Sequence, residues 1–113
     1  MNKYKAKLIR IIDGDTIDAE IEVGFDIYVR KRIRLWGINA PEIRSRDKDE
    51  VRAGKEAYRR LAAILALSDG EFDIITHGDG KHGRCLGEIF VKEHNESVNQ
   101  VLINEGLAKK YEE

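Results

Sequence analysis

Hydrophobic and polar residues alternate through most of the first 35 positions, the two-residue period of half-buried strands. Tyr4 to Ile12 alternates and then turns apolar. Asp13-Gly14-Asp15 supplies a tight turn, and Thr16-Ile17-Asp18-Ala19-Glu20-Ile21 follows with Ile17, Ala19 and Ile21 on one face. That is a hairpin. A second turn at Val23-Gly24-Phe25-Asp26 leads into Ile27 to Leu35, where Ile27, Val29, Lys31, Ile33 and Leu35 point one way. Tyr28, Arg30, Arg32, Arg34 and Trp36 point the other way. After Pro41 a polar stretch runs to about Asp49. The period then changes to that of a helix, with Val51, Tyr58, Leu61, Ala62 and Leu65 on the apolar side and Arg52, Lys55, Arg59 and Arg60 outside. Two further strands, Glu71 to Thr76 and Cys85 to Val91, flank the Gly-rich His77-Gly78-Asp79-Gly80-Lys81-His82-Gly83, which reads as a mobile connection. Ser97 caps a last helix carrying Val98, Val101, Leu102 and Ile103, and Gly106 ends it. Mostly hairpin-length connections, with one segment long enough for a helix, fit a closed barrel better than a parallel sheet. The expected fold is a β-barrel with helices (α+β): a five-stranded OB-type barrel with a helix after strand three and a C-terminal helix.

Length and composition narrow the class. The chain has 113 residues, one domain's worth, so a single domain over 1–113 is expected. It is 42% hydrophobic and 36% charged with one Pro, enough for a compact core and unlike a disordered chain. No apolar run is long enough to span a membrane, and the basic start leads into only Leu8-Ile9 before Arg10, so no signal peptide and a cytoplasmic location are expected. Cys85 is the one cysteine, which excludes an internal disulfide or a cysteine-built metal cluster. The net charge of -1 argues against binding by bulk electrostatics, but the charge is unevenly placed. Residues 1–60 hold 15 basic against 11 acidic side chains, and residues 61–113 hold 5 against 10.

Charged groups in turn regions fall in four pieces: Asp13-Gly14-Asp15-Thr16, Arg34 to Asn39, Pro41-Glu42 and Gly83-Arg84. Taken singly, each has a plain reading. Asp-Gly is a preferred turn pair, Arg34 and Arg84 can be exposed strand and loop arginines, and Glu42 can pair with Arg44 or Arg46. Each also has a chemical reading. A carboxylate such as Asp15 at the start of a strand can hold a hard cation. Two planar guanidinium groups can clamp a phosphodiester. Glu42, stiffened by Pro41, can take a proton from water.

The pieces Ile12-Asp13-Gly14-Asp15-Thr16, Ile33-Arg34-Leu35-Trp36-Gly37-Ile38-Asn39-Ala40-Pro41-Glu42, His82-Gly83-Arg84-Cys85-Leu86-Gly87 and Asn104-Glu105-Gly106-Leu107-Ala108-Lys109 together resemble the staphylococcal nuclease (thermonuclease) family in order and approximate spacing. The resemblance implies a metal-dependent nuclease that hydrolyses phosphodiester bonds of DNA, preferably single-stranded, with RNA as a further substrate and 3′-phosphate products. It casts Arg34, Glu42 and Arg84 as catalytic, with Glu42 the general base or the group that orders the water. It makes Asp15, Asn39 and the main-chain carbonyl of Ala40 the metal donors, and implies Ca²⁺. Lys81, His82 and Tyr111 are candidate substrate contacts, Tyr111 either stacking on a base or anchoring the chain end. Asp13 is expected to stabilise its turn.

Two departures stand out. The family has Asp where this chain has Asn39, which still offers an oxygen but no charge, so Mg²⁺ or Mn²⁺ enters as an alternative ion. The neighbouring Ala40 replaces a Thr that contributes only its main-chain carbonyl. The chain also stops soon after Tyr111, without the further helix of the best-known members. Trp36 is expected on packing surface, His77, His82 and His94 show no metal-ligand spacing, and Cys85 reads as a packed strand residue. The rival reading is a non-catalytic OB-type nucleic-acid or protein-binding module, and a hydrolase of small nucleotides is a third. The expected partner is DNA or RNA, with no membrane and no obligate protein partner, and a monomer is expected.

Overall fold

A computed structural model describes residues 2–79 and 83–112. The strands β1 (Lys3–Asp13), β2 (Thr16–Glu22), β3 (Tyr28–Leu35), β5 (Glu71–Asp79) and β6 (Cys85–Phe90) close into a barrel in the order β1-β2-β3-β6-β5. Neighbours are antiparallel except β3 and β6, which run parallel. The expected five-stranded barrel with two helices is therefore present: α1 (Lys48–Leu67) follows the third strand and α2 (Val98–Asn104) lies near the end. Two short strands that the hydrophobic pattern did not show, β4 (Ile38–Asn39) and β7 (Lys109–Lys110), pair with each other outside the barrel. Each is too short to display a period.

The core follows from the alternation. Ile17, Ile33, Leu35, Ile74 and Ile89 point inward from four different strands, and Leu61, Ile64 and Leu65 close the barrel from α1. Val98 and Leu102 add the buried side of α2. Asp47 caps α1, its side chain accepting from Asp49 N at 3.0 Å, and Ser97 caps α2, accepting from Gln100 N at 3.0 Å. Arg60 of α1 and Glu105 at the end of α2 lock together through two bonds of 2.7 and 2.9 Å.

Three expectations need correction. The third strand begins at Tyr28, not Ile27, and of the positions expected to point inward only Ile33 and Leu35 are buried, while Ile27 and Lys31 are exposed. The reason is the partner strand: β6 pairs with β3 only at Ile33, Arg34 and Leu35, so the earlier part of β3, held by β2 on one side, has an unpaired edge on the other. Next, β5 runs on through His77 and Gly78 to Asp79 with an irregularity in its pairing to β6, where composition had placed a loop from His77. Finally, Trp36 does not continue the Arg34 face of the strand, because β3 ends at Leu35 and Trp36-Gly37 is a turn.

Glycines bring the parts together by close approach. Gly14 sits in the β1–β2 turn with φ outside the left-handed region, so turn chemistry is not why it is glycine. A Cβ there would lie 2.6 Å from Ala57 Cβ and 3.1 Å from Ala40 Cβ. Gly54 of α1 does the same for the loop after β4, where a Cβ would lie 2.7 Å from the Pro41 carbonyl oxygen. The helix thus seats against both the turn carrying Asp15 and the loop carrying Glu42.

Candidate functional site

Arg34 is the centre of the site. Strand alternation turns it away from Ile33 and Leu35, yet it is only 6% exposed. Its Nη1 lies 2.6 Å from Asp15 Oδ2, and its Nη2 donates to Asn39 Oδ1 at 3.1 Å. Asp15 is also buried, and accepts from the Ala40 backbone N–H at 2.8 Å and from Thr16 Oγ1 at 2.8 Å. The Tyr111 ring lies 5.6 Å from the Arg34 guanidinium carbon, a cation–π distance, and the Tyr111 N–H donates to Gly37 O at 2.8 Å. Of the two roles open to Tyr111, the structure shows a backbone-anchored ring over Arg34 that remains 43% exposed.

Asp15, Arg34, Asn39 and Ala40 therefore meet in one cluster, built from the β1–β2 turn, the end of β3 and β4. The Leu35 N–H bond to Asp15 O, 2.8 Å, holds turn and strand together. Glu42 stands two residues beyond Ala40 with its side chain exposed. Among the described residues no ion pair joins it to Arg44 or Arg46. Arg84, half-buried, immediately precedes β6. The parallel pairing of Cys85 with Ile33 puts its backbone one strand away from β3, level with Arg32. Lys81 and His82 lie outside the described residues. Cys85 is half-buried, and burial, with a smaller contribution from Asp79, pushes its thiol up, away from nucleophilic use.

Several positioning residues escaped the sequence. Glu50, on the first turn of α1, accepts from the Glu42 N–H at 3.2 Å and from Ser45 Oγ at 2.7 Å, so it holds the loop that presents Glu42. Asp13 accepts from the Ile43 backbone, joining that loop to the β1–β2 turn; burial raises its carboxyl above the usual range and outweighs that bond. Asn99 of α2 donates to Trp36 O at 2.8 Å and Gly87 O at 3.1 Å and accepts from Ile89 N at 3.1 Å. It ties β6 to the turn that follows Arg34. A buried Asn on an otherwise apolar helix face was the available signal. The Trp36 ring stacks on His77, centroids 3.9 Å apart and nearly parallel, and His77 Nε2 lies 3.2 Å from Glu88 Oε1.

A model of the family described as staphylococcal nuclease homologue matches residues 32–113. The chain belongs to this family. It is also 26% identical over 115 residues to a micrococcal nuclease of Shigella flexneri, an alignment that takes in 96% of this chain and 59% of that protein. The chain thus spans well under two thirds of that relative's length. Within this staphylococcal nuclease homologue, β1, β2 and Asp15 precede the matched segment, while Arg34, Asn39, Glu42, Arg84 and Tyr111 fall inside it.

The donors can be tested against a divalent cation. Among the described residues no group of three or more His, Cys, Asp or Glu side chains converges to hold a metal. The oxygens present are of the kind a hard cation takes: the Asp15 carboxylate, the Asn39 amide oxygen and the Ala40 carbonyl. They fit such an ion in type, with low charge, because Asp15 is the one carboxylate and Arg34 formally neutralises it. A recess of about 580 Å³ elsewhere, with Lys5, Glu20, Phe72 and Glu93 among its walls, includes none of these residues.

Proposed function

We propose that this chain, as a single domain over 1–113, is a nuclease that hydrolyses the phosphodiester bonds of single-stranded DNA and of RNA with low sequence selectivity. The observation that carries the reading is the convergence of the buried Asp15 carboxylate and the Asn39 oxygen on the Arg34 guanidinium, with an exposed Glu42 three residues along the chain from Asn39. A buried, positioned guanidinium costs little to organise when negative charge builds up on a phosphate. Arg34 binds the scissile phosphate and Arg84 contacts it from the neighbouring strand. Glu42 orders a water and takes its proton as the water oxygen attacks phosphorus. The bond to the 5′ oxygen breaks, that oxygen acquires a proton, and a 3′-phosphate end remains. Asp15, Asn39 and the Ala40 carbonyl would hold a divalent cation, Ca²⁺ first and Mg²⁺ or Mn²⁺ as alternatives. When bound, it supplies positive charge beside the phosphate. Tyr111 lies where a base next to that phosphate can stack on it.

One observation favours a second reading, a catalytically impaired nucleic-acid-binding barrel: Asn39 leaves the site a carboxylate short while Arg34 neutralises Asp15. One experiment separates the two. Wild type and Glu42→Gln are incubated with labelled single-stranded DNA in EDTA, Ca²⁺, Mg²⁺ or Mn²⁺. The nuclease reading expects ion-dependent cutting that falls at least about 10²-fold in Glu42→Gln. Binding without cutting in every ion overturns it in favour of the binding module.

A further inference from the structure

The outer face of β2 and β3 carries a second basic surface that the site does not use. Before Ile33, where β3 has no partner on its β6 side, Tyr28, Arg30 and Arg32 continue the face of β3 on which Arg34 lies. Successive same-face residues on a strand are about 7 Å apart, an interval comparable to that between phosphates of an extended polynucleotide strand. Beside them is a shallow recess of about 350 Å³ lined by Ile9, Arg10, Asp18, Arg30, Lys31 and Arg32. Asp18 holds the two flanking guanidinium groups in place, Arg10 Nε at 2.7 Å and Arg32 through Nε and Nη2 at 2.8 and 3.1 Å. Arg30 lies 4.0 Å from Glu20. Glu22, opposite Tyr28, accepts from its hydroxyl at 3.3 Å. Four cations, Arg10, Arg30, Lys31 and Arg32, against the three carboxylates Asp18, Glu20 and Glu22 leave a formal charge of +1 on a protein whose total is -1. The side chains remain open to solvent, Arg30 at 78%, Arg10 at 66% and Arg32 at 46% exposure.

We infer that this face is a phosphate-binding track for a single polynucleotide strand, running from the Arg34 cluster along β3 through Arg32 to Arg30, with Arg10 on its flank. The choice of ligand rests on the nuclease reading above. Charged residues on an exposed strand edge also discourage pairing with other chains, and β3 has such an edge before Ile33. Edge protection requires charge of either sign in any order. It does not explain three arginines in step on one face, or a carboxylate that fixes two guanidinium heads instead of cancelling more charge.

The test is equilibrium binding of a labelled 20-nucleotide single strand in EDTA, across a salt series, for wild type, Arg30→Ala/Arg32→Ala and Asp18→Asn. Each phosphate contact contributes about 0.7 to the slope of log affinity against log salt for single strands. The double variant should therefore lose about 1.4 from the slope, with affinities that converge near 1 M salt and differ about 25-fold at 0.1 M. Asp18→Asn removes a negative charge from the track and should bind more tightly at 0.1 M, a direction that loss of structure cannot produce. If wild type binds or cuts the strand but neither variant shifts, the track is overturned and the nuclease reading stands. If wild type binds through the track and never cuts with any divalent ion, the track stands and the nuclease reading falls. If wild type neither binds nor cuts, both fall. Equal competition by polyglutamate at matched charge would assign the surface to acidic protein and overturn the inference.

Discussion

Asn39→Asp tests the electrostatics of the site most directly. Asn39 Oδ1 already faces the Arg34 guanidinium at 3.1 Å, and Arg34 in turn touches Asp15 at 2.6 Å, so a carboxylate at 39 completes a pair of acids around one cation. At about 4 Å, one unit charge acts on another with about 1 kcal/mol in water and about 4 kcal/mol near a protein surface. Residue 39 is exposed, which favours the lower end, and a divalent ion doubles it. Part of the gain is offset because the new carboxylate first pairs with Arg34 and must share with the incoming ion. A net of about 1–2 kcal/mol remains, or roughly 5- to 30-fold tighter Ca²⁺ binding. Isothermal titration of Ca²⁺ into wild type, Asn39→Asp and Asn39→Ala reads this directly. At a Ca²⁺ concentration 100 times Kd, binding should add about 2.7 kcal/mol of stability, visible as a rise in Tm. The Ala variant loses a donor and should bind more weakly than wild type. A Kd for Asn39→Asp within threefold of wild type, or an equal gain in Asn39→Ala, would refute the view that Asn39 is a metal donor deficient in charge.

Gly14→Ala should cost about 1–3 kcal/mol by overpacking, since the new Cβ meets Ala57 Cβ at 2.6 Å; adding Ala57→Gly should restore part of that Tm, and no recovery would mean that the clash is not the cause. Asn99→Ala leaves the Trp36 carbonyl and the Ile89 N–H without this partner, while the Gly87 carbonyl keeps its bond from the Trp36 N–H at 2.7 Å, and should lower stability by about 2–3 kcal/mol in urea denaturation; Asn99→Asp, whose carboxylate accepts but cannot donate, should recover little. Asp18 is held at about 2, first by its bond to Arg32 and further by Arg10. Because its folded value lies below the unfolded 3.8, it contributes stability above about pH 4 that is lost as pH falls towards 2. After discounting for solvent screening the contribution is about 1 kcal/mol, and the stability difference between wild type and Asp18→Asn should shrink over that pH window.

Alternation alone determined the barrel. Ile17, Ala19 and Ile21, and then Ile33 and Leu35, had to face a common interior because a strand exposes each face every second residue. The helices were legible for the same kind of reason, with Ser97 and Gly106 marking the bounds of the second by cap chemistry. Site residues Asp15, Arg34, Asn39 and Glu42 were legible as motif pieces, since Asp15 sits in a Gly-containing turn, Glu42 follows the one Pro, and Arg34 and Asn39 lie near strand ends on either side of Gly37. What those pieces do to one another was not legible. That Arg34 is buried against Asp15 and Asn39 depends on β3 ending where the β1–β2 turn returns to it, a contact between residues 19 apart in the chain. Nor could composition say why position 14 is glycine, because the constraint is a methyl group on α1, 43 residues away. The unpaired edge of β3 was equally hidden: Ile27 and Lys31 have the period of buried residues, and the short β3–β6 pairing leaves them exposed. Local periodicity thus decides which face of each element is apolar. Which elements cover that face, and therefore which charges are buried against each other, is decided by contacts between residues distant in sequence, and these exist only in the folded chain.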